Sequence, residues 1–239
     1  MKKNGRILDS TKVNALTALY ESARKKKIGL LADDNIYDLI NSLNFNYQDA
    51  ARSVIAYHYE QIIRAMLIDL DDPNVADTPE RLAKMYIDEL FSGRYLQRPR
   101  VTCFPSLREG SKENLLMQGP IQIKSTCSHH WAPVIGKAWL AVLPTSNLLG
   151  LSKYARLISW IMRRPSLQEN MVEQIADELE RTLNTPDIAL VVDAEHYCMK
   201  MRGAEEPCSM TSTQVMRGGF RENSELRSEF LSFVARNKG

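Results

Sequence analysis

The chain is short of the residues that mark several protein classes. It holds four cysteines in 239 residues, too few to staple a small secreted scaffold. No apolar run approaches the ~20 residues that a membrane-spanning helix requires. Met1–Arg6 leads into polar sequence without the apolar core of a secretory signal. An excess of one charge is missing too: 31 Lys and Arg stand against 29 Asp and Glu, for a net charge of +2. Such a balance excludes a polyelectrolyte binder of nucleic acid, and basic groups that matter must be placed locally. Internal repeats and low-complexity segments are absent. What remains is a chain with 44% hydrophobic residues, able to bury a sizeable core as one large domain or one with an appendage.

Histidine is as scarce as cysteine, and its placement is uneven. Three of the four histidines and two of the four cysteines lie in Ser125-Thr126-Cys127-Ser128-His129-His130-Trp131 and Glu195-His196-Tyr197-Cys198. The Cys127–His130 spacing lets one tight turn present a thiolate and an imidazole to the same metal. Cys198, far downstream, could complete a Cys₂His set. Three protein ligands leave a fourth position for water, as in a catalytic zinc site. His129 and His196 are then unneeded as ligands and free to move protons. By itself a C-x-x-H pair is a weak signal, because structural zinc sites usually add a second paired half. Thiolate ligands favour a reducing compartment, so the cytoplasm is expected.

Along the chain, residues 1–45 read as a charged, moderately helical extension, with Ala15, Leu16, Leu19 and Tyr20 as an apolar stripe. Residues 46–239 read as the main domain. Val54, Ile55, Ile62, Ile63, Met66 and Leu67 recur at helical spacing within Tyr47 to Asp71. His58 lies in that helix as a packed or surface side chain. Asp77-Thr78-Pro79-Glu80 is a helix start, with Asp77 as capping side chain and Pro79 in the first turn; Gly93 ends this helix. After a loop over Arg94–Gly119 the period becomes two, predicting antiparallel strands at Ile121–Ser125 and Val134–Leu143 joined by the Cys127–Trp131 turn. Helices are expected from Gly150 to about Arg164, broken by Pro165, and from Gln168 to Asn184. Strands follow at Asp187–Ala194 and Ser209–Gly218, then a helix over Ser224–Asn237. The order β-β-α-α-β-β predicts an α+β fold with two helices on one face of an antiparallel sheet.

Several stretches together resemble the GTP cyclohydrolase I family. They are Asp77-Thr78-Pro79-Glu80-Arg81-Leu82-Ala83-Lys84-Met85-Tyr86, Ser125–His130, Gly150-Leu151-Ser152-Lys153, Arg164-Pro165-Ser166-Leu167-Gln168-Glu169, and Asp193 through Gly203. The resemblance covers roughly residues 50–235, in order. It implies the tunnelling fold (T-fold) and a homodecamer of two face-to-face pentameric rings with active sites between subunits. It implies zinc on Cys127, His130 and Cys198, and proton transfer by His129 and His196. It assigns Ser152 near the ribose, Gln168 and Glu169 at the guanine edge, and Arg81, Lys84, Lys153, Arg156 and Arg202 on the triphosphate. The implied reaction converts GTP to 7,8-dihydroneopterin triphosphate and formate, opening a pterin, folate or deazapurine pathway. Two residues depart from the family's pattern. Ser128 replaces a glutamate in Cys-Glu-His-His, and Asn170 replaces an arginine. Second-shell changes of this kind can cost 10–100-fold in activity or metal affinity. Two alternatives therefore stay open: a paralogue acting on another purine nucleotide, and a weakly catalytic nucleotide-binding ring protein that regulates a partner. Intact His129, His196 and Glu169 argue against the second. Cys103 and Cys208 match no ligand position.

Overall fold

The structure, a computed structural model, describes residues 7–27, 29, 31–105, 115–145 and 147–238. The polar start at residues 1–6 and residues 106–114 of the expected loop lie outside the described residues. The chain divides into two compact units, one up to Gln97 and one from Arg98 onward. Among the described residues no helix is long and apolar enough to cross a membrane.

The first unit is helical: α1 (Ser10–Lys26), α2 (Tyr37–Asn41), α3 (Tyr47–Ala65), α4 (Thr78–Lys84), a π-helical turn (Met85–Leu90) and α5 (Ser92–Tyr95). Ile36, Ala51, Ile87, Phe91 and Tyr95 form its core. Arg94 locks the loop before α2, donating to the carbonyls of Gly29 at 2.7 Å and Asp34 at 3.0 Å. Several expectations change here. Helix α3 ends six residues before Asp71, because Leu67 adopts a left-handed φ of 58° that no helix interior tolerates. Its buried face is Ala50, Ala51, Ala56, Glu60 and Ile63, whereas Ile62, Met66 and Leu67 are exposed. Asp77 makes no side-chain cap; its carboxylate pairs with Arg81 one turn on, at 3.5 Å. His58 is exposed on α3.

The second unit carries the predicted order. Its elements are β1 (Cys103–Pro105), β2 (Leu116–Cys127), β3 (Pro133–Val142), β4 (Asn147–Leu149), α6 (Leu151–Met162), β5 (Pro165–Ser166) and α7 (Gln168–Leu183). They continue with β6 (Ile188–His196), α8 (Tyr197–Lys200), β7 (Thr211–Met216), α9 (Gly219–Glu222) and α10 (Ser224–Arg236). Five strands form one sheet in the order β5-β2-β3-β6-β7, antiparallel except for the short β5. Pro165 thus does more than break α6. It starts an edge strand, where a missing N–H leaves no ladder bond unmade. β1 and β4, invisible to the alternation argument because each has only three residues, pair separately.

Both sheet faces are covered, and each by a different part of the sequence. Ile121, Ile123, Leu140, Val142, Ile188, Leu190 and Val192 face α6 and α7, meeting Leu157, Ile158, Ile161, Met171, Ile175 and Leu179. On the other face Trp139, Ala141, Ala189 and Val191 pack against Phe220, Phe230 and Val234 of the C-terminal helices. Burial on both faces explains why β6 reads as a continuous apolar run rather than an alternating one.

Charged pairs fasten the edges of this core. Arg217, after β7, reaches Glu173, Asp177 and Glu180 along α7 at 2.6, 2.7 and 2.7 Å. Glu178 accepts from Arg98 Nε at 2.6 Å and from Arg181 at 2.8 Å. Burial alone would raise the Glu178 carboxyl, but the hydrogen bonds from Arg181 and Arg98 outweigh it and hold the group below its ordinary value. A depressed carboxylate contributes stability that is complete above its unfolded pKa of about 4.3 and is lost as pH falls through the folded value. Glu178→Gln should therefore lower stability at pH 7 by about 1 kcal/mol, allowing for the exposure of Arg181. Urea melts of both proteins should converge when repeated near pH 3. An equal gap at both pH values would show that the loss is packing rather than charge.

Candidate active site

The site grows from the end of β2. Cys127 is its last residue, and the chain turns back within five residues to begin β3 at Pro133. Backbone bonds close the turn: Trp131 N–H donates to Cys127 O at 3.0 Å, and Cys127 N–H to Ala132 O at 2.9 Å. Trp131 takes a φ of +52° to complete it. Cys127 also lies beside Ser166 of β5, and Ser128 N–H donates to Ser166 O at 3.3 Å. The thiol is thereby buried, while His129 and His130, on the open side of the turn, are exposed.

Register brings in the second half. Val134 pairs with His196, so the last residue of β6 stands next to the start of β3. The chain then coils into α8, whose second residue is Cys198. One ligand atom from each of Cys127, His130 and Cys198 lies within 4.8 Å of the others. No disulfide joins the two sulfurs. Burial first, then the neighbouring Cys127, pushes the Cys198 thiol up, with Arg202 opposing. Two thiols and an imidazole this close form a soft donor set that a tetrahedral ion would stabilise and that little else explains. The group can hold a metal ion.

His196 is fixed by Gln168, the first residue of α7, which is buried at 3% exposure. The Gln168 amide nitrogen reaches Val192 O at 3.1 Å, Thr211 O at 3.1 Å and Thr213 Oγ1 at 3.0 Å. All three are acceptors or can be, so the amide oxygen must face the other way, where it meets His196 Nε2 at 2.7 Å. An amide oxygen cannot donate. His196 therefore carries its proton on Nε2, and in its neutral form leaves Nδ1 as a base. Burial pushes its pKa below the ordinary imidazole value, opposed by the charge of Glu169.

The structure gathers some predicted residues more tightly than others. Cys127, His130 and Cys198 meet; the His129 ring centroid lies 6.2 Å from that of His130. Glu169 acts on His196 and Arg202 on Cys198 through their charges. Ser152, Lys153 and Arg156 lie in the first two turns of α6, with Ser152 and Arg156 exposed. Among the described residues no hydrogen bond or ion pair joins them to the cysteine–histidine group. Arg81 and Lys84 are exposed on α4 in the first unit. Thr213, which anchors Gln168, was not singled out in the sequence. Its signal was available in the alternation of Thr211, Thr213 and Val215, which places all three on the helix-facing side of β7.

If the three ligands act together, Cys198→Ala should abolish stoichiometric metal binding in elemental analysis of the purified protein. Retention of a full equivalent would sink the assignment.

Comparison with known proteins agrees with this geometry. The family model described as GTP cyclohydrolase I matches residues 55–235. The chain is 37% identical over 215 residues to GTP cyclohydrolase 1 of Shewanella baltica (strain OS185), covering 90% of this chain and 98% of that protein. It is 40% identical over 178 residues to GTP cyclohydrolase 1 of Shewanella oneidensis, covering 74% and 82% respectively. With the Cys-His-Cys group, the flanking histidines and this extent of similarity together, the chain belongs to the GTP cyclohydrolase I family.

Proposed function

We propose that this chain hydrolyses GTP to 7,8-dihydroneopterin triphosphate and formate, with zinc held by Cys127, His130 and Cys198. The observation that supports it most directly is the meeting of those three side chains beside two further histidines. The metal, when bound, supplies Lewis acidity that lowers the pKa of water to about 7. His129, next to ligand His130, delivers a proton to the imidazole nitrogen of guanine as water adds at C8. Such proton transfer contributes roughly 10²–10⁴ in rate. A second water releases the carbon as formate, and the later ring closure returns one water, so the net reaction consumes one. His196, proton on Nε2 and Nδ1 open, serves the ribose end, where opening and rearrangement require a proton to be taken and returned. Gln168 sets that tautomer rather than gripping substrate with its amide, because both ends of the amide are engaged within the fold. Glu169, exposed at the start of α7, is the group for the guanine edge.

A triphosphate carries about four negative charges, and Arg or Lys is the natural partner for each. Arg81, Lys84, Lys153, Arg156 and Arg202 supply the cations, and Ser152 supplies a hydroxyl. The protein works in the cytoplasm as a decamer of two pentameric rings. Ser128 and Asn170, which replace charged residues in the family's pattern, favour a second reading in which another purine nucleotide is the better substrate.

Incubating metal-loaded protein with GTP, and separately with ITP and ATP, decides between the readings. Formate and a fluorescent pterin after oxidation are expected from GTP, and His129→Ala should reduce both by at least ~10²-fold with metal content unchanged. Formate from another nucleotide alone would establish the second reading.

Assembly has its own test. If each site draws Arg81 and His129 from different subunits, dissociating and reassociating inactive Arg81→Ala with inactive His129→Ala should restore a fraction of the activity. No recovery, or a fully active monomer in ultracentrifugation, would refute shared sites.

A further inference from the structure

The three candidate metal ligands stand on two supports of unequal strength. Cys127 ends a strand of 12 residues and is fixed through both its N–H and its carbonyl, with His130 in the same closed turn. Cys198 stands on α8, a helix of only four residues. A single helical turn is not stable by itself, because nucleation costs more than so few hydrogen bonds return. Its N-cap, His196, makes no side-chain capping bond. Contacts beyond the turn must therefore hold α8 in place.

Three contacts do so. Cys198 packs at the edge of the apolar core, but such contact is non-directional and leaves the orientation of the turn open. Met199 O accepts from Glu206 N–H at 3.1 Å, which ties α8 forward to the loop that follows. The third contact runs back to the sheet: Lys200 Nζ meets Glu195 Oε2 at 2.9 Å. Among the described residues it is the one ion pair that α8 makes. Glu195 is a firm anchor, since β6 is still in register there, with Glu195 opposite Ile135 and His196 opposite Val134. Lys200 is the last residue of α8. The bridge thus closes around His196, Tyr197, Cys198 and Met199. The Lys200 side chain is 16% exposed and that of Glu195 38%, so the pair is partly shielded from the solvent screening that weakens surface pairs.

We propose that Glu195 and Lys200 are positioning residues for the metal. Their ion pair is a clasp that holds α8 against β6 and keeps Cys198 within reach of Cys127 and His130 before an ion arrives. The proposal rests on reading those three side chains as the metal site. Without the clasp, α8 would have to be ordered at the moment of binding, and the entropy lost in that step would reduce the affinity.

The test uses the full-length protein titrated with Zn²⁺ in competition with the chromophoric chelator 4-(2-pyridylazo)resorcinol. Glu195→Gln and Lys200→Met should each weaken zinc binding about tenfold. The double variant should bind no more weakly than either single one, because all three lose the same interaction. Lys200→Arg, which keeps the pair, should bind as the wild type does. The melting temperature of the metal-free protein should stay put throughout, since a pair this exposed adds little to the stability of the fold. Wild-type zinc affinity in Glu195→Gln and Lys200→Met would overturn the clasp while leaving the metal site standing. Losses that add in the double variant, or that track a fall in the melting temperature of the metal-free protein, would overturn it too. A wild type that takes up no zinc would overturn the site reading and the clasp with it.

Discussion

The register between β3 and β6 is the constraint on which the rest of this molecule depends. Gly136 lies opposite Ala194, and a Cβ on it would come within 2.0 Å of Asp193 O. The two strands thus approach more closely there than any side chain would allow. Because side chains alternate with a period of two, a slip by one residue would send every one of them to the opposite face. In the observed register Val134 meets His196. The turn before β3 and the coil after β6 then lie side by side, and their cysteines and His130 come together. The same register turns Val192 and Ala194 toward the helices and Trp139 and Asp193 away from them. The meeting of the two cysteines with His130 is a consequence of one strand pairing.

Much of this was legible in the sequence because it follows from local pattern. The alternation around Ile121–Ser125 and Val134–Leu143, the helical spacing of Met171, Ile175 and Leu179, and the Pro165 break each depend on near neighbours only. The structure places β3, α6 and α7 within two residues of the expected bounds, whereas β2 begins five residues before Ile121, at Leu116. The Cys127–His130 spacing announced one half of the metal group for the same reason. Other features depended on contacts that no local pattern records. The end of α3 is set by a left-handed Leu67, a conformation that a leucine in an apolar repeat gives no sign of adopting. The closing of the sheet's second face by Phe220, Phe230 and Val234 joins segments about 80 residues or more from Trp139. β1 and β4 were too short to show a period.

Gln168 illustrates how burial bears on the role expected of a residue. Beside Glu169, and matching a family motif, it looked like a substrate contact. Its burial and four bonding partners make it part of the scaffold, tying α7 to β6 and β7 and aligning His196. The two readings differ in what the side chain has left to offer. An amide has two N–H groups and one carbonyl oxygen, and here the fold occupies both ends. Glu169, one residue on and exposed, keeps its carboxylate available. A single step along the first turn of α7 separates a buried, fully bonded polar group from an exposed carboxylate.

Buried polar groups on the two faces of the sheet are satisfied in different ways. On the helix-facing side the Gln168 amide is neutral and bonded at both ends, so an apolar layer can close around it at little cost. On the other side Asp193 is buried with a formal charge, and Lys238, the penultimate residue, provides its counter-charge. A paired buried carboxylate with one oxygen unsatisfied is a costly arrangement for stability alone, since an apolar residue of similar size would serve the packing better.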